Sequence, residues 1–341
     1  VVKVGMTNPL HTFKVLIADA DQHLSLVLRQ MLNKMGFTNV EMTRSGQKAM
    51  SLLKQAPYDF VITDWNLKDA DGLSLINHIR RDPASANISL PIIMLTGQAE
   101  ESDVLLARDR GVNEYVVKPF SARAIYNRLE RIVESPRNFI VAGDFVGPDR
   151  RNKSTPPEGV PERRTARVAP TLPPHDTAAK SQGGRSKIWL PDKRLKKKLG
   201  HSVTLDSLIT PAVLKEAQAT IDAISTDSLQ WIKADLRELV SLQHAIATDR
   251  NPALLVDAMA ELALLISSRA GTFGYNGASE VAYHLYLFCR NKLNPANPNH
   301  HTIVAKHVEV LQVIFGSGMQ ASGDVSPIVI ELKNLTRKYA S

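Results

Sequence analysis

Four short apolar runs in the first third of the chain each end in a polar side chain, and this repeat constrains the fold more than any other feature. Val15-Leu16-Ile17-Ala18 runs into Asp19 and Asp21. Phe60-Val61-Ile62-Thr63 ends in Asp64, Ile92-Ile93-Met94-Leu95 in Thr96-Gly97, and Tyr115-Val116-Val117 in Lys118-Pro119-Phe120. Strands are expected at about 14–18, 39–42, 59–63, 91–95 and 114–117, with helices at about 22–35, 46–55, 72–81, 100–109 and 121–134. In the first helix Leu24, Val27, Leu28, Met31, Leu32 and Met35 recur at helical spacing. Continuous apolar strands between amphipathic helices require a parallel sheet covered on both faces. Such sheets build their sites outside the carboxyl ends of the strands. Two carboxylates, a hydroxyl and an amine therefore converge, the side-chain set of a phosphate-accepting site.

A chain of 341 residues is long enough for two domains. The formal charge of +8 is concentrated: residues 149–200 hold 14 Lys and Arg against 5 Asp and Glu. That stretch is also rich in Pro, Gly and Ser, and the expectation is a basic, largely disordered linker over 136–204, after an N-terminal tail at 1–12 and a first domain at 13–135. From 205 to 341 the pattern is helical. Thr210-Pro211, Asn251-Pro252 and Ser326-Pro327 each place a capping side chain before a proline at the first helical position. The helix near 227–247 carries Leu229, Ile232, Leu236, Leu239, Gln243 and Ile246 on one face, and the next, 252–269, carries Leu255, Ala258, Leu262, Leu265 and Arg269. Helices near 277–292 and 299–316, the latter with Val304, Val308, Leu311 and Phe315 at helical spacing, complete an antiparallel bundle. The single cysteine, Cys289, excludes an internal disulfide framework. No apolar stretch is long enough to span a bilayer, so the expected setting is the cytoplasm, without membrane insertion.

Residues 13–135 resemble the receiver domain of two-component response regulators, a flavodoxin-like α/β fold with a five-stranded parallel sheet. The resemblance makes Asp64 the phosphorylated aspartate, Thr96 the hydroxyl that bonds a phosphoryl oxygen, Lys118 the lysine that pairs with the phosphate, and Tyr115 the aromatic switch. It implies Mg²⁺ as the cofactor, held by Asp19, Asp64 and the backbone carbonyl of Asn66. Receivers of this type carry two adjacent acids after the first strand. Here the pair reads Asp19-Ala20, with Asp21 next as an additional candidate ligand. Because Mg²⁺ relies on only one or two carboxylates plus water and phosphate, weakened rather than lost binding is expected. The implied partners are a sensor histidine kinase or a histidine phosphotransfer protein, and a downstream protein.

The bundle around Gly271-Thr272-Phe273-Gly274-Tyr275 is similar to histidine phosphotransfer domains, and Phe145-Val146-Gly147-Pro148-Asp149-Arg150-Arg151 resembles a motif that precedes such bundles in some receiver proteins. Counted back from Gly271, the histidine position holds Leu264, with Ser267-Ser268 in place of Lys-Gly. Without imidazole the bundle has no phosphocarrier, and Leu264 is expected to form an exposed apolar spot at a protein interface. His284 is expected in the core or a groove, and His300-His301 point in different directions with no carboxylate cluster beside them. The whole reads as a non-enzymatic response regulator switching protein contacts. The alternatives are a pseudo-receiver scaffold that takes no phosphate, and a DNA-binding regulator acting through Lys193-Arg194-Leu195-Lys196-Lys197-Lys198. No helix-turn-helix accompanies that run, so nucleic acid is not expected as a partner.

Overall fold

A computed structural model of the chain describes residues 8–96, 101–118, 120–142, 145–150, 187–189, 193–248, 252–316 and 326–339. Two compact units divide it, Val1–Thr220 and Ile221–Ser341.

The first unit alternates β1 (Lys14–Ala18), α1 (Gln22–Lys34), β2 (Asn39–Thr43), α2 (Gly46–Gln55), β3 (Phe60–Asp64), α3 (Gly72–Arg81), β4 (Ile92–Thr96), α4 (Glu101–Asp109), β5 (Glu114–Val117) and α5 (Ala122–Glu134). The strands form one parallel sheet in the order β2-β1-β3-β4-β5. This is the expected flavodoxin-like topology, and the boundaries fall within about a residue of the sequence expectation because each strand is a bounded apolar run. Val15, Leu16, Ile17, Phe60, Val61, Ile62, Ile92 and Ile93 are all fully buried, as strands covered on both faces must be. Leu24, Val27, Leu28, Met31 and Leu32 bury the expected stripe of α1.

The segment expected to be a largely disordered linker is ordered where it is described. β6 (Phe139–Ala142), β7 (Phe145–Pro148) and β8 (Lys187–Trp189) form an antiparallel sheet in the order β7-β6-β8. It packs Phe139 and Trp189 against Ile88. Arg150 stacks over the Phe145 ring at 3.8 Å and reaches Asp109 at 3.0 Å, so the Phe-Val-Gly-Pro-Asp-Arg stretch is fastened to the end of α4. α6 (Arg194–Leu199) and α7 (Leu205–Leu208) follow, with Leu195, Leu199 and Leu205 buried. Lys196 binds Glu134 at 2.5 Å, and Lys198 binds Asp59 at 2.6 Å. Part of the basic run is therefore used to dock α6, rather than lying solvated. These apolar positions are too sparse to announce a core in sequence; the surface around the parallel sheet supplies the other half. Residues 151–186 lie outside the described residues. The expected tail at 1–12 is also ordered from Asn8, with Leu10 buried.

α8 (Pro211–Thr248) starts at the Thr210-Pro211 signal and is longer than its periodicity suggested. In the second unit it is followed by α9 (Ala253–Thr272), α10 (Asn276–Asn291), α11 (Pro298–Gly316) and α12 (Ser326–Tyr339). Ile232, Leu236, Leu239 and Ile246 are buried on α8, and Val304, Val308, Leu311 and Phe315 on α11, as their spacing indicated. α9 differs. Leu262 to Ile266 is an unbroken apolar run longer than a full turn, so periodicity could not select its inner face; Ala258 is exposed, while Ala260, Ala263 and Ile266 are fully buried. Ser267 Oγ donates to the carbonyl of Ser279 at 2.9 Å, joining α9 to α10, and Arg269 pairs with Asp235 of α8. The turn at Phe273-Gly274 uses glycine at φ +86, where a side chain would strain the backbone. Gly271 and Thr272, expected in that turn, close α9 instead.

Leu264 is 8% exposed. The expected apolar spot at the lost phosphotransfer position is not a surface feature, because α9 is enclosed on that side too. Leu264→Asp should consequently lose the helical circular dichroism of the second unit, at a cost of roughly 4 kcal/mol for a carboxylate in that interior. Retention of full helicity would put Leu264 back at the surface.

Candidate functional site

The parallel sheet brings the four strand ends together. Asp64 is the last residue of β3 and Thr96 the last of β4; Asp19 and Lys118 immediately follow β1 and β5. Lys118 Nζ lies 2.8 Å from Asp19 Oδ2 and 3.3 Å from Asp64 Oδ2. The Lys118 amide donates to the Thr96 carbonyl at 2.7 Å, which sets the lysine beside the hydroxyl-bearing strand end. Thr96 is buried at 3% exposure, Asp19 and the Lys118 side chain are sealed, and the Asp64 side chain keeps 14%. Asp64 is thus the member of the cluster that solvent and a donor can reach.

The electrostatics follow from burial. Desolvation raises the Asp19 pKa to about 7, against the attraction of Lys118 and with added repulsion from Asp64 and Asp21. Desolvation also raises Asp64, opposed by Lys118 and by the Trp65 amide. Burial works against the Lys118 ammonium, but Asp19 and Asp64 outweigh it and its pKa rises above the ordinary lysine value. One ammonium serves two buried carboxylates, and Asp21 adds a third negative group close enough to perturb both.

Asp21 has another duty. Its Oδ1 caps α1, accepting from the amides of His23 at 2.9 Å and Leu24 at 3.3 Å, while its own amide donates to Asp19 Oδ1 at 2.8 Å. Asn66 sits in the loop after β3, bridged to Asp71. Among the described residues no three His, Cys, Asp or Glu side chains converge as a ready-made metal cage. Mg²⁺ does not need one, since it keeps several waters and takes one or two carboxylates. Hard oxygen donors in a buried, net-negative cluster fit that ion: Asp19 and Asp64 would hold it directly, and the Asn66 carbonyl and Asp21 are the further oxygen donors the sequence offers.

Tyr115 is turned outward, 39% exposed, with its carbonyl accepting from Arg128 Nε at 3.0 Å. It does not reach the carboxylates in this conformation. Gly97 lies outside the described residues. Spacing did not reveal Gly72, whose amide donates to the Trp65 carbonyl at 2.6 Å. A Cβ there would lie 2.1 Å from the Asp64 carbonyl oxygen. Asp71-Gly72 at the head of α3 was the available signal, a capping residue before a glycine. In the second unit His284 Nδ1 and His307 Nε2 lie 2.7 Å apart with stacked rings; His307 is fully buried, and His284, expected in the core or a groove, is half-buried.

Residues 15–130 match the family model for the response regulator receiver domain. Chemotaxis protein CheY-3 of Vibrio cholerae is 35% identical over 121 residues, which cover 36% of this chain and 92% of the relative. The chain belongs to the response regulator receiver family. Chemotaxis protein CheY of Pseudomonas aeruginosa is 34% identical over 36% of this chain and 96% of its own length. Among solved structures, the receiver domain of a sensor histidine kinase of Pseudomonas aeruginosa PAO1, with a magnesium ion in its active-site cleft, is similar at 28% identity and a TM-score of 0.33, covering 36% of this chain and 98% of that one. The receiver assignment carries the two-component signalling role at the level of the domain; all three comparisons cover little more than a third of the chain. Among the described residues no helix is long and apolar enough to cross a membrane.

Proposed function

We propose that the chain is a response regulator whose Asp64 accepts a phosphoryl group from a phosphohistidine of a sensor kinase or phosphotransfer protein, and that the phosphorylated receiver changes affinity for a downstream protein. The observation that carries this reading is the single lysine held between Asp19 and Asp64. A carboxylate oxygen of Asp64 attacks phosphorus in line, the bond to the histidine nitrogen breaks, and an acyl phosphate forms. The work left to the protein is positioning and charge neutralisation. Lys118 exchanges part of its contact with the carboxylates for the new phosphoryl oxygens, and the Thr96 hydroxyl donates to another. Mg²⁺, when bound, neutralises charge on the phosphoryl oxygens. The protein acts as a phosphoacceptor rather than a turnover enzyme. Output runs through protein contact rather than DNA, since Lys196 and Lys198 are engaged in docking α6.

Treatment with acetyl phosphate and Mg²⁺ should add one phosphoryl group by intact-mass spectrometry, and Asp64→Asn should show none. A pseudo-receiver is the second reading, favoured by Ala20 where a second acid is usual; absence of any adduct at high Mg²⁺ would establish it. A further expectation concerns the metal. Ala20→Asp adds an oxygen ligand beside Asp19 and should tighten Mg²⁺ about tenfold, read from Trp65 fluorescence next to Asp64. Equal affinities would mean that Asp21 already fills the role.

A further inference from the structure

We propose that Arg44 is a specificity-determining residue of the phosphoacceptor site, a guanidinium on its rim that draws an anionic phosphoryl donor towards Asp64 while opposing Mg²⁺. This role rests on the phosphoacceptor reading and deepens it, by naming the group that favours an anionic donor.

Arg44 lies in the turn between β2 and α2, and that turn is fastened to both loops that carry the acidic cluster. On the β1 side, the Asp19 amide donates to the Thr43 carbonyl at 3.1 Å, and Arg44 Nε donates to the Ala20 carbonyl at 2.9 Å. On the β3 side, the Lys68 amide donates to the Arg44 carbonyl at 2.9 Å. Asp69, in the same loop as Lys68, accepts from the Ser45 hydroxyl at 2.5 Å and from the amides of Gly46 at 2.7 Å and Gln47 at 3.3 Å. The backbone of Arg44 is therefore held in register with Asp19 and Asp64 from two sides, although its side chain is exposed.

The fold does not use the Arg44 charge. Ala20 offers the guanidinium a carbonyl and no carboxylate, and among the described residues Arg44 forms no ion pair. Beside it, Asp19, Asp21 and Asp64 share the single ammonium of Lys118. Such a cluster attracts a dication and repels a phosphoryl donor, which is itself an anion. A guanidinium at the edge offsets that repulsion, and its planar fork matches phosphoryl oxygens. The same charge acts against Mg²⁺. The two effects have opposite sign, which a purely structural role for the bond to Ala20 does not produce: loss of a brace would loosen the cluster and weaken both ligands.

The test uses the full chain and its Arg44→Ala, Arg44→Lys and Arg44→Glu variants. Each is titrated with acetyl phosphate at saturating Mg²⁺, with adduct formation followed by intact mass, and separately with Mg²⁺ alone by Trp65 fluorescence. Arg44→Ala should raise the half-saturating acetyl phosphate about fivefold, keep the maximal rate within about twofold, and tighten Mg²⁺ about threefold, as one water-screened charge near the site would. Arg44→Glu should enlarge both shifts, Arg44→Lys should largely restore the original values, and added salt should shrink the differences. Unchanged half-saturation in Arg44→Ala and Arg44→Glu would overturn the role and leave Asp64 as the acceptor. Weaker Mg²⁺ binding in Arg44→Ala, without rescue by lysine, would also overturn it, as the signature of a brace. No adduct on the unmodified chain would overturn the acceptor reading itself, and the role of Arg44 with it.

Discussion

Gly72→Ala is expected to abolish most of the phosphoryl acceptance proposed for Asp64 without touching the carboxylate. The added methyl would stand 2.1 Å from the Asp64 carbonyl oxygen and 3.1 Å from that of Trp65. Neither neighbour is the tip of a flexible side chain. Both are backbone at the end of β3, so the loop that carries Asp64 must move or α3 must withdraw. Overpacking of this kind costs roughly 3 kcal/mol. The displacement matters more than the energy, since a shift of about 1 Å at a reacting group lowers rates by about 100-fold. The measurement is the rate of adduct formation from acetyl phosphate beside the unmodified chain, with far-UV circular dichroism to show that the fold persists. A rate within threefold would mean that the loop after β3 does not position Asp64.

Arg80→Leu is expected to remove much of the stability of the first unit. The Arg80 guanidinium is buried at 1% exposure and donates to the carbonyls of Gly111 at 2.9 Å, Ile88 at 2.7 Å and Leu90 at 2.8 Å, and to Asn113 Oδ1 at 2.8 Å. Burial pushes its pKa down to about 9, which leaves it charged at neutral pH. Leucine matches the apolar stem but strands three carbonyls, while the Asn113 amide oxygen keeps the Ile92 amide as a donor at 3.0 Å. At about 1–3 kcal/mol for each unsatisfied buried acceptor, with partial repair by water, the loss is roughly 4 kcal/mol or more. That is a large share of the 5–15 kcal/mol typical of a domain. Exchange protection across β4 and β5 should collapse, and the first urea transition should move to lower denaturant with its slope unchanged. Arg80→Lys should fall between the two, because one ammonium reaches fewer acceptors. A loss below 1 kcal/mol would show that water replaces the guanidinium.

Much of the first unit was legible before any coordinates. The apolar runs that end in Asp64, Thr96 and Lys118 are local signals, and parallel pairing admits one way of bringing their ends together. The α1 stripe was readable for a related reason: that helix has a single apolar side, so its period names its inner face. The Asp19, Asp64 and Lys118 cluster was legible in membership, though not in the division of one ammonium between two carboxylates.

Signals failed where both halves of a contact are far apart in the chain. Gln218 and Ala122 are 96 residues apart, and Arg80 and Asn113 are 33 apart; neither pair leaves a periodic trace. Lys196 and Lys198 read as solvated charge because their partners, Glu134 and Asp59, belong to the receiver. Phe139, Val146 and Trp189 were too few to be a core by themselves, and became one against Ile88. α9 carries an unbroken apolar run from Leu262 to Ile266, so nothing in its period distinguished Leu264 as surface from Leu264 as interior.

By itself, then, the sequence determined the alternation of strand and helix, the sheet order class and the identity of the strand-end residues, because these depend on short-range periodicity and stereochemistry. The tertiary structure alone decided which face of α9 is inside and that the basic segment is docked. Those outcomes depend on which distant surface completes each half-buried patch, and burial is a property of the pair rather than of either stretch of chain.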